Sequence, residues 1–502
     1  MNRILRNAFC IILLVAVFVH PTVARASDVP VSTTEVSLSG WVSDVIPTTS
    51  TSAVLDGMTT DCKTYVDQLE RRFTLTTMHM PNGDDVCFAR YESKSVAHDD
   101  PTLHITVTGN YAGSFAVSSP KKRNIVPQMS IKSPTVVDYA SSSLYLRPTE
   151  RYRTMGHTML NWDPSGNIPV SIAYASGIST YTIEMKASTG MFASTWFVIS
   201  RTQKLIDLND AGQKTFCHLF SLDSYQRLFP DGCYERSAAT YLPFAAYGYW
   251  RNPASIPGNW IVSKQGGLQT SCRLGVDIAY VIASGLMSTQ NKDGSWRTGP
   301  ASTWLHREYG ISFDYFDDRR STDGALFLAR FAVLFHQQKV LQAVSRYDVW
   351  LTAYAESYGL RLSNGGILLP DYSSCNKNTV LSTHTALNHQ LANINYCLET
   401  GSALGVPSKV DLGRRLLLAV DATANLWVLP DHNLVYALTR QLTHCPYADY
   451  KYLTVNDLNR TQDLCALLTI ETPSVVGLIT EKKIYGSRPL ISHTDNDRVS
   501  NS

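Results

Sequence analysis

Near Gly258 the apolar residues of this chain change their period, so one kind of secondary structure cannot serve both halves. From Ser27 to about Gly248, stretches such as LHITVTGNYAGSFAV, PVSIAYASGISTYTIEMKAS and STWFVIS alternate apolar with polar residues. Clusters such as NWDPSGN separate them. A period of two leaves one face buried and one wet, which predicts antiparallel strands in a sandwich or barrel. After Gly258 the spacing becomes helical, over residues 272–289, 323–344, 350–361, 382–400, 409–426 and 455–468. Asp323 and Ser382 stand where N-caps are expected, and Gly401 and Gly405 follow a helix end. One early stretch, TDCKTYVDQLERRFTL, also reads as a helix.

Between the later helices a phrase recurs: a Gly/Asn/Asp turn followed by a short apolar piece, as in QNKDGSW, SNGGILLPD and WVLPDHNLVYAL. Degenerate helical hairpins of this kind predict an α/α toroid or part of one, with the turns at one end of the bowl. The expected fold class is therefore α+β and multidomain. A leader occupies residues 1–26, an antiparallel β domain (sandwich or barrel) 27–250, an α/α toroid-like helical domain 251–478, and a polar tail 479–502.

The leader rests on Arg3 and Arg6, an apolar run from Ala8 to Val19, and Ala24-Arg25-Ala26 before Ser27, a secretory signal with a small-x-small cleavage site. No later run is long and apolar enough to span a bilayer, so a secreted or luminal protein without a membrane span is expected. A net charge of +2 gives no general electrostatic case for nucleic acid. An acidic polymer would have to meet local clusters such as Lys121-Lys122-Arg123, Arg319-Arg320 or Arg414-Arg415. In an oxidising compartment some cysteines should pair, and Cys62 with Cys87 and Cys217 with Cys233 are the sequence-local choices. Neither CxxC nor HExxH occurs, so no metal framework of familiar spacing and no cofactor is expected.

Chemistry-bearing residues concentrate in DHNLVYALTRQLTHCPYADYKYLTVNDL, residues 431–458. Tyr436, Tyr450 and Tyr452 lie there with Asp431, His432, His444 and Asp449, between two helices. A phenol serves as acid or base once its environment lowers its pKa from about 10. Upstream, FDYFDDRRSTDG interleaves Phe313, Tyr315 and Phe316 with Asp314, Asp317, Asp318, Arg319 and Arg320, as sugar-stacking loops do. His384 and Asn388 fall one turn apart on the 382–400 helix, a polar stripe facing a cavity or solvent.

The Asp449-Tyr450 pair, with Thr454, Asn456 and Leu458 opening a helix and Tyr436 upstream, resembles the C-terminal domain of the heparosan glucuronate C5-epimerase family. The correspondence continues through Leu387-Asn388 and Asn364-Gly365-Gly366 and covers roughly the last third of the chain. It implies that Tyr436 and Tyr450 are catalytic. The family carries a further Glu-Tyr pair, which ungapped counting places at Lys377 and Asn378, unless the loop is shifted and Tyr372 substitutes.

The leading expectation is an isomerase, an epimerase of hexuronate residues in an acidic polysaccharide. It passes the C5 proton between Tyr436 and Tyr450, while Tyr452, His384, Asn388, Arg319, Arg320 and Asp431 bind substrate, without cofactor. A polysaccharide lyase shares the first step. A toroid-type hydrolase would use Asp431 with Asp314, Asp317 or Asp318. A non-catalytic glycan-binding protein is the remaining reading.

Overall fold

A computed structural model describes residues 32–93, 99–123, 130–220, 227–237, 241–263, 272–374, 383–447 and 449–486. The expected leader, most of the tail, Cys375, Lys377, Asn378 and Ser382, and the side chains of Lys122 and Arg123, lie outside the description.

Among the described residues strands fill most of the chain up to Arg251, interrupted by one α-helix at Ala211–Phe220, and they pair antiparallel. A large, branched sheet is built around Phe192–Ser200, and a five-stranded sheet lies against it. All of Phe192–Ser200 is buried because both of its faces are covered. Ala193, Phe197 and Ile199 share a core with Leu103, Ile105 and Tyr181 of the smaller sheet. Trp196 and Val198, pointing the other way, join the core of the helices. The result is three layers, with the large sheet in the middle.

The helix expected over TDCKTYVDQLERRFTL is two strands, Thr59–Val66 and Arg72–His79. Asp67 Oδ1 accepts the amides of Leu69 and Arg71 and closes the turn between them, with Glu70 at φ 57°. Tyr65 and Phe73 then fall opposite each other over the core, a period of two that the charged residues of the turn obscure.

Ten described helices follow one another as α1 (Ala211–Phe220), α2 (Ile256–Val262), α3 (Arg273–Thr289), α4 (Thr303–Tyr309), α5 (Asp318–Phe335), α6 (Gln338–Tyr358), α7 (Leu387–Ala403), α8 (Pro407–Ala422), α9 (Leu453–Leu467) and α10 (Pro473–Gly486). None is long and apolar enough to cross a membrane. Helices α2, α5, α7 and α9 pack side by side as an inner row, each backed by the helix after it, α3, α6, α8 and α10. Helix α7 is buried almost all round, as an inner helix must be. The last helix runs past residue 478, where the polar tail was expected to begin.

The recurring turns clip this second row together. Gln290 Nε2 donates to Gly294 O and to Ala343 O of α6. Asn364 Nδ2 donates to Leu418 O of α8, and Gln390 Nε2 to Leu416 O. Lys482 of α10 donates to Asn433 Oδ1 in the third turn. Each phrase thus docks on the next outer helix, which explains why it recurs once per hairpin. Close approach requires glycine: a Cβ on Gly366 would stand 2.6 Å from Ala419 N.

Among the described residues no disulfide forms, and eight cysteines are thiols. Cys62 faces Thr76 and Cys87 faces Thr77 across the same middle strand, so the two sulfurs lie on opposite faces of the sheet. Cys217 lies on α1 and Cys233 on the Gly232–Arg236 strand, both buried and unpaired.

The β region and the helices are joined by buried polar contacts. Arg273 grips both oxygens of Asp84, Asn82 Nδ2 donates to Asp277 Oδ1, and Gln337 bonds both Asp56 N and Asp56 O.

Gly366→Ala should lower the unfolding free energy by roughly 2–3 kcal/mol, because backbone rather than a flexible side chain must yield. Gly477→Ala, in open space on α10, should raise it by about 0.5–1 kcal/mol. Denaturant midpoints check both; equal effects would rule out the clip.

Candidate functional site

The N-terminal ends of α5, α7 and α9 bring together the loops that carry the candidate residues. Two-residue ladders tie these loops: Phe316–Asp317 with Tyr372–Ser373, Thr385–Ala386 with Ala437–Leu438, and Tyr241–Leu242 of the β region with Ala301–Ser302. Asp317 Oδ1 accepts the Arg320 amide and caps α5, so the helix begins at Asp318 and not near Asp323. DDRR is therefore the first turn of a helix rather than the end of a loop. Three helix N-termini at one place favour an anionic ligand.

Arg319 and Arg320, consecutive on a helix, point about 100° apart. Arg319 turns inward, with Nη1 2.6 Å from Asp457 Oδ2 and donating to Asn388 O. It is a buried strut between α5 and α9. Arg320 turns to the seam with the β region, where Nη2 donates to Tyr241 OH at 2.6 Å and the guanidinium lies 4.5 Å from the Trp250 ring centre. Asp317 pairs with its Nε at 3.4 Å. Its Nη1 is buried and has no hydrogen-bond partner among the described residues.

Tyr450 lies in the field of this guanidinium, and Tyr436 packs against Tyr450. The rings of Tyr436 and Tyr450 meet edge to face, 5.8 Å apart at 73°. Tyr436 is 8% exposed, with the Tyr372 side chain acting on its phenol; Tyr450 is 42% exposed and lies in the field of Tyr241, Arg320 and Arg319. The expected lowering of the phenol pKa does not occur. Burial pushes all three up, Tyr372 and Tyr436 furthest because Asp371 and Asp317 add negative field. Only at Tyr450 do guanidinium charges oppose the rise.

His384 precedes α7 instead of sharing a stripe with Asn388 on it, since the Thr385–Ala386 ladder holds the chain extended there. The Tyr309 hydroxyl meets its Nδ1 at 2.8 Å. Nε2 stands 3.2 Å from Asp371 Oδ2, and neither atom makes a hydrogen bond there. His389, one turn into α7, meets Asp318 Oδ1 at 2.6 Å and has Asp371 Oδ1 3.8 Å away. Between these carboxylates it is pushed up to about 9, so it carries its proton at neutral pH. Trp304 meets Tyr309 and Tyr372 edge to face and His384 at a tilt, and forms an apolar wall.

Other expected residues lie apart. Asn388 is buried, with its Oδ1 unpartnered, and only its main-chain carbonyl engages Arg319. Tyr452 is 57% exposed at the start of α9, with Lys451 Nζ 5.1 Å from its ring centre. Asp431 is exposed and accepts the Asn433 amide, closing its own turn. Asp314 is taken by His157, and Asp317 and Asp318 are buried in pairs with Arg320 and His389. Of the carboxylates the hydrolase reading needs, Asp431 and Asp314 face solvent while Asp317 and Asp318 are buried. Asp317, Asp318 and His389 have donor atoms within 4.8 Å of one another. Their lone pairs, however, are occupied by Arg320, the His389 N–H and Asn393 Nδ2, so the set does not fit a metal ion.

Sequence reasoning did not single out Asp371, His389 or Tyr241. Tyr241 sits in an ordinary-looking β stretch, YLPFAAYGYW, and only the ladder to Ala301–Ser302 brings it here. Tyr372 lies next in sequence to the Asp371 that faces His384.

The raised His389 value is a stability statement. Its stabilising contribution is fully present below the unfolded value of about 6.5 and is lost as pH rises through about 9. The melting temperature should therefore fall between about pH 7 and 9, and His389→Gln should flatten that fall. Thermal melts across this window, with an unchanged slope in the variant as the contrary result, decide it.

No protein-family model and no curated protein matches the chain. Among solved structures it is similar to a D-mannose isomerase, at 14% identity over 46% of this chain and 58% of that one, with a TM-score of 0.34. A cellobiose 2-epimerase from Bacillus thermoamylovorans B4167 gives 8% over 46% and 57%, TM-score 0.33. A family 76 glycoside hydrolase from a bovine Bacteroides thetaiotaomicron strain gives 11% over 71% and 76%, TM-score 0.36. The chain thus spans less than two thirds of the first two, and at these identities and scores the likeness assigns neither reaction nor substrate.

Proposed function

We propose that the protein is an exported C5-epimerase acting on hexuronate residues of an acidic polysaccharide. The observation that carries this reading is the buried, unpaired Arg320 Nη1 with Tyr450 in the guanidinium's field, the Tyr450 ring meeting that of Tyr436 edge to face. A guanidinium held by Tyr241 and Asp317 with one arm free suits a sugar carboxylate. The resemblance around Asp449-Tyr450 and Tyr436 supports the same chemistry.

The roles of the phenols follow from their neighbours. Tyr450, beside Arg320 and Arg319, is the phenol best able to become an anion and is the base toward C5. Tyr436, kept protonated by burial and by Asp371, is the acid on the other face. As the proton leaves, charge spreads onto the substrate carboxylate, where Arg320 stabilises it. A lyase would share this abstraction and then expel the glycosidic oxygen.

Incubation with uronate polymers in heavy water should place deuterium at C5 with no ultraviolet-absorbing unsaturated product. Tyr450→Phe, Tyr436→Phe and Arg320→Gln should each lower the exchange rate by about 10²–10⁴-fold. Because the base must ionise from a raised value, kcat/KM should climb with pH from 7 to 9. Absence of exchange with every polymer, or an unsaturated product, would overturn the assignment.

A further inference from the structure

Lys482 is a cation with no part in the chemistry above and is nevertheless almost wholly buried, its side chain 5% exposed. It reaches from α10 to two different loops. Its ammonium donates to Asn433 Oδ1 at 2.8 Å and to Asp449 Oδ2 at 2.5 Å. Asp449 itself is fully enclosed, and its other oxygen accepts the Thr454 hydroxyl at the start of α9. Asn433 lies three residues before Tyr436, and Asp449 immediately precedes Tyr450. One side chain therefore fastens both tyrosine-bearing loops to the same point behind the site.

We propose that Lys482 is a positioning residue that sets the separation of Tyr436 and Tyr450. This rests on the epimerase reading. A buried ammonium is retained only where strong acceptors surround it, and here the acceptors belong to the two segments whose relative placement the reaction needs. If one phenol delivers a proton to the face opposite the other, a shift of about 1 Å between them loses about a hundredfold in rate. Neutralising Asp449 would be a bland alternative role for Lys482, and the two roles make different demands on a double variant.

Lys482→Met leaves Asp449 buried and unpaired and is expected to destabilise the fold. Asp449→Asn combined with Lys482→Met removes both charges. The double variant should melt within a few degrees of wild type, yet lose about a hundredfold in kcat with KM changed less than about threefold. Recovery of wild-type kcat in the double variant would overturn the proposal, because charge balance alone would then suffice. Amide hydrogen exchange provides a readout independent of activity. In the double variant, residues 433–447 and 449–454 should exchange faster than in wild type while α7 is unchanged. Unchanged protection in both loops would equally overturn the clamp. Failure of wild type to exchange C5 hydrogen would count against the epimerase reading, whereas a failed clamp shows in the loops whatever the substrate.

Discussion

A guanidinium taken out of water must be given partners, and that requirement at Arg320 ties the two halves of the molecule together. Its ring neighbours Tyr241 and Trp250 come from the β region, and its carboxylate, Asp317, caps a helix of the other half. The strand pairing of Tyr241–Leu242 with Ala301–Ser302 holds that geometry. The β region thus provides one wall of the site as well as a platform under the helices. A guanidinium held in this way is pre-organised, so little entropy would be lost in pairing its buried Nη1 with an anion.

The same logic recurs one layer back. His389 between Asp318 and Asp371, Arg319 on Asp457, and Lys482 on Asp449 are buried charges whose partners lie on different hairpins. The first two link inner helices to a loop or to the next helix, and Lys482 links the outer helix α10 to the loop before α9. Apolar packing sets the distance between hairpins, and these pairs set their register, which packing alone leaves less sharply defined. In the outer row, turn side chains also donate to main-chain carbonyls of α6 and α8.

The change of period near Gly258 was legible because burial on one face writes itself into consecutive residues. The site was legible only in part. Tyr436 and Tyr450 stand out through local neighbours, and both lie in the cluster. Arg319 and Arg320 were indistinguishable in sequence, since only the phase of α5 decides which one faces the seam. That phase was misjudged because Asp323 and Asp317 are both plausible caps, and the ladder before Asp318 decides between them. His384 was placed on a helix because its polar neighbours repeat at helical spacing, while the ladder to Ala437–Leu438 keeps it extended. The strands at 59–79 were masked by charged residues that belong to their turn. In each case a long-range pairing overrode a local signal.

The most direct measurement is calorimetric binding of a uronate oligosaccharide and of the same oligosaccharide with its carboxyl groups reduced to alcohols, each to wild type and to Arg320→Lys. A site built on Arg320 should bind the acid at least about tenfold more tightly than the alcohol, and the lysine variant should lose most of that difference. Equal affinity for both sugars, or an acid preference untouched by the substitution, would contradict a carboxylate-receiving site.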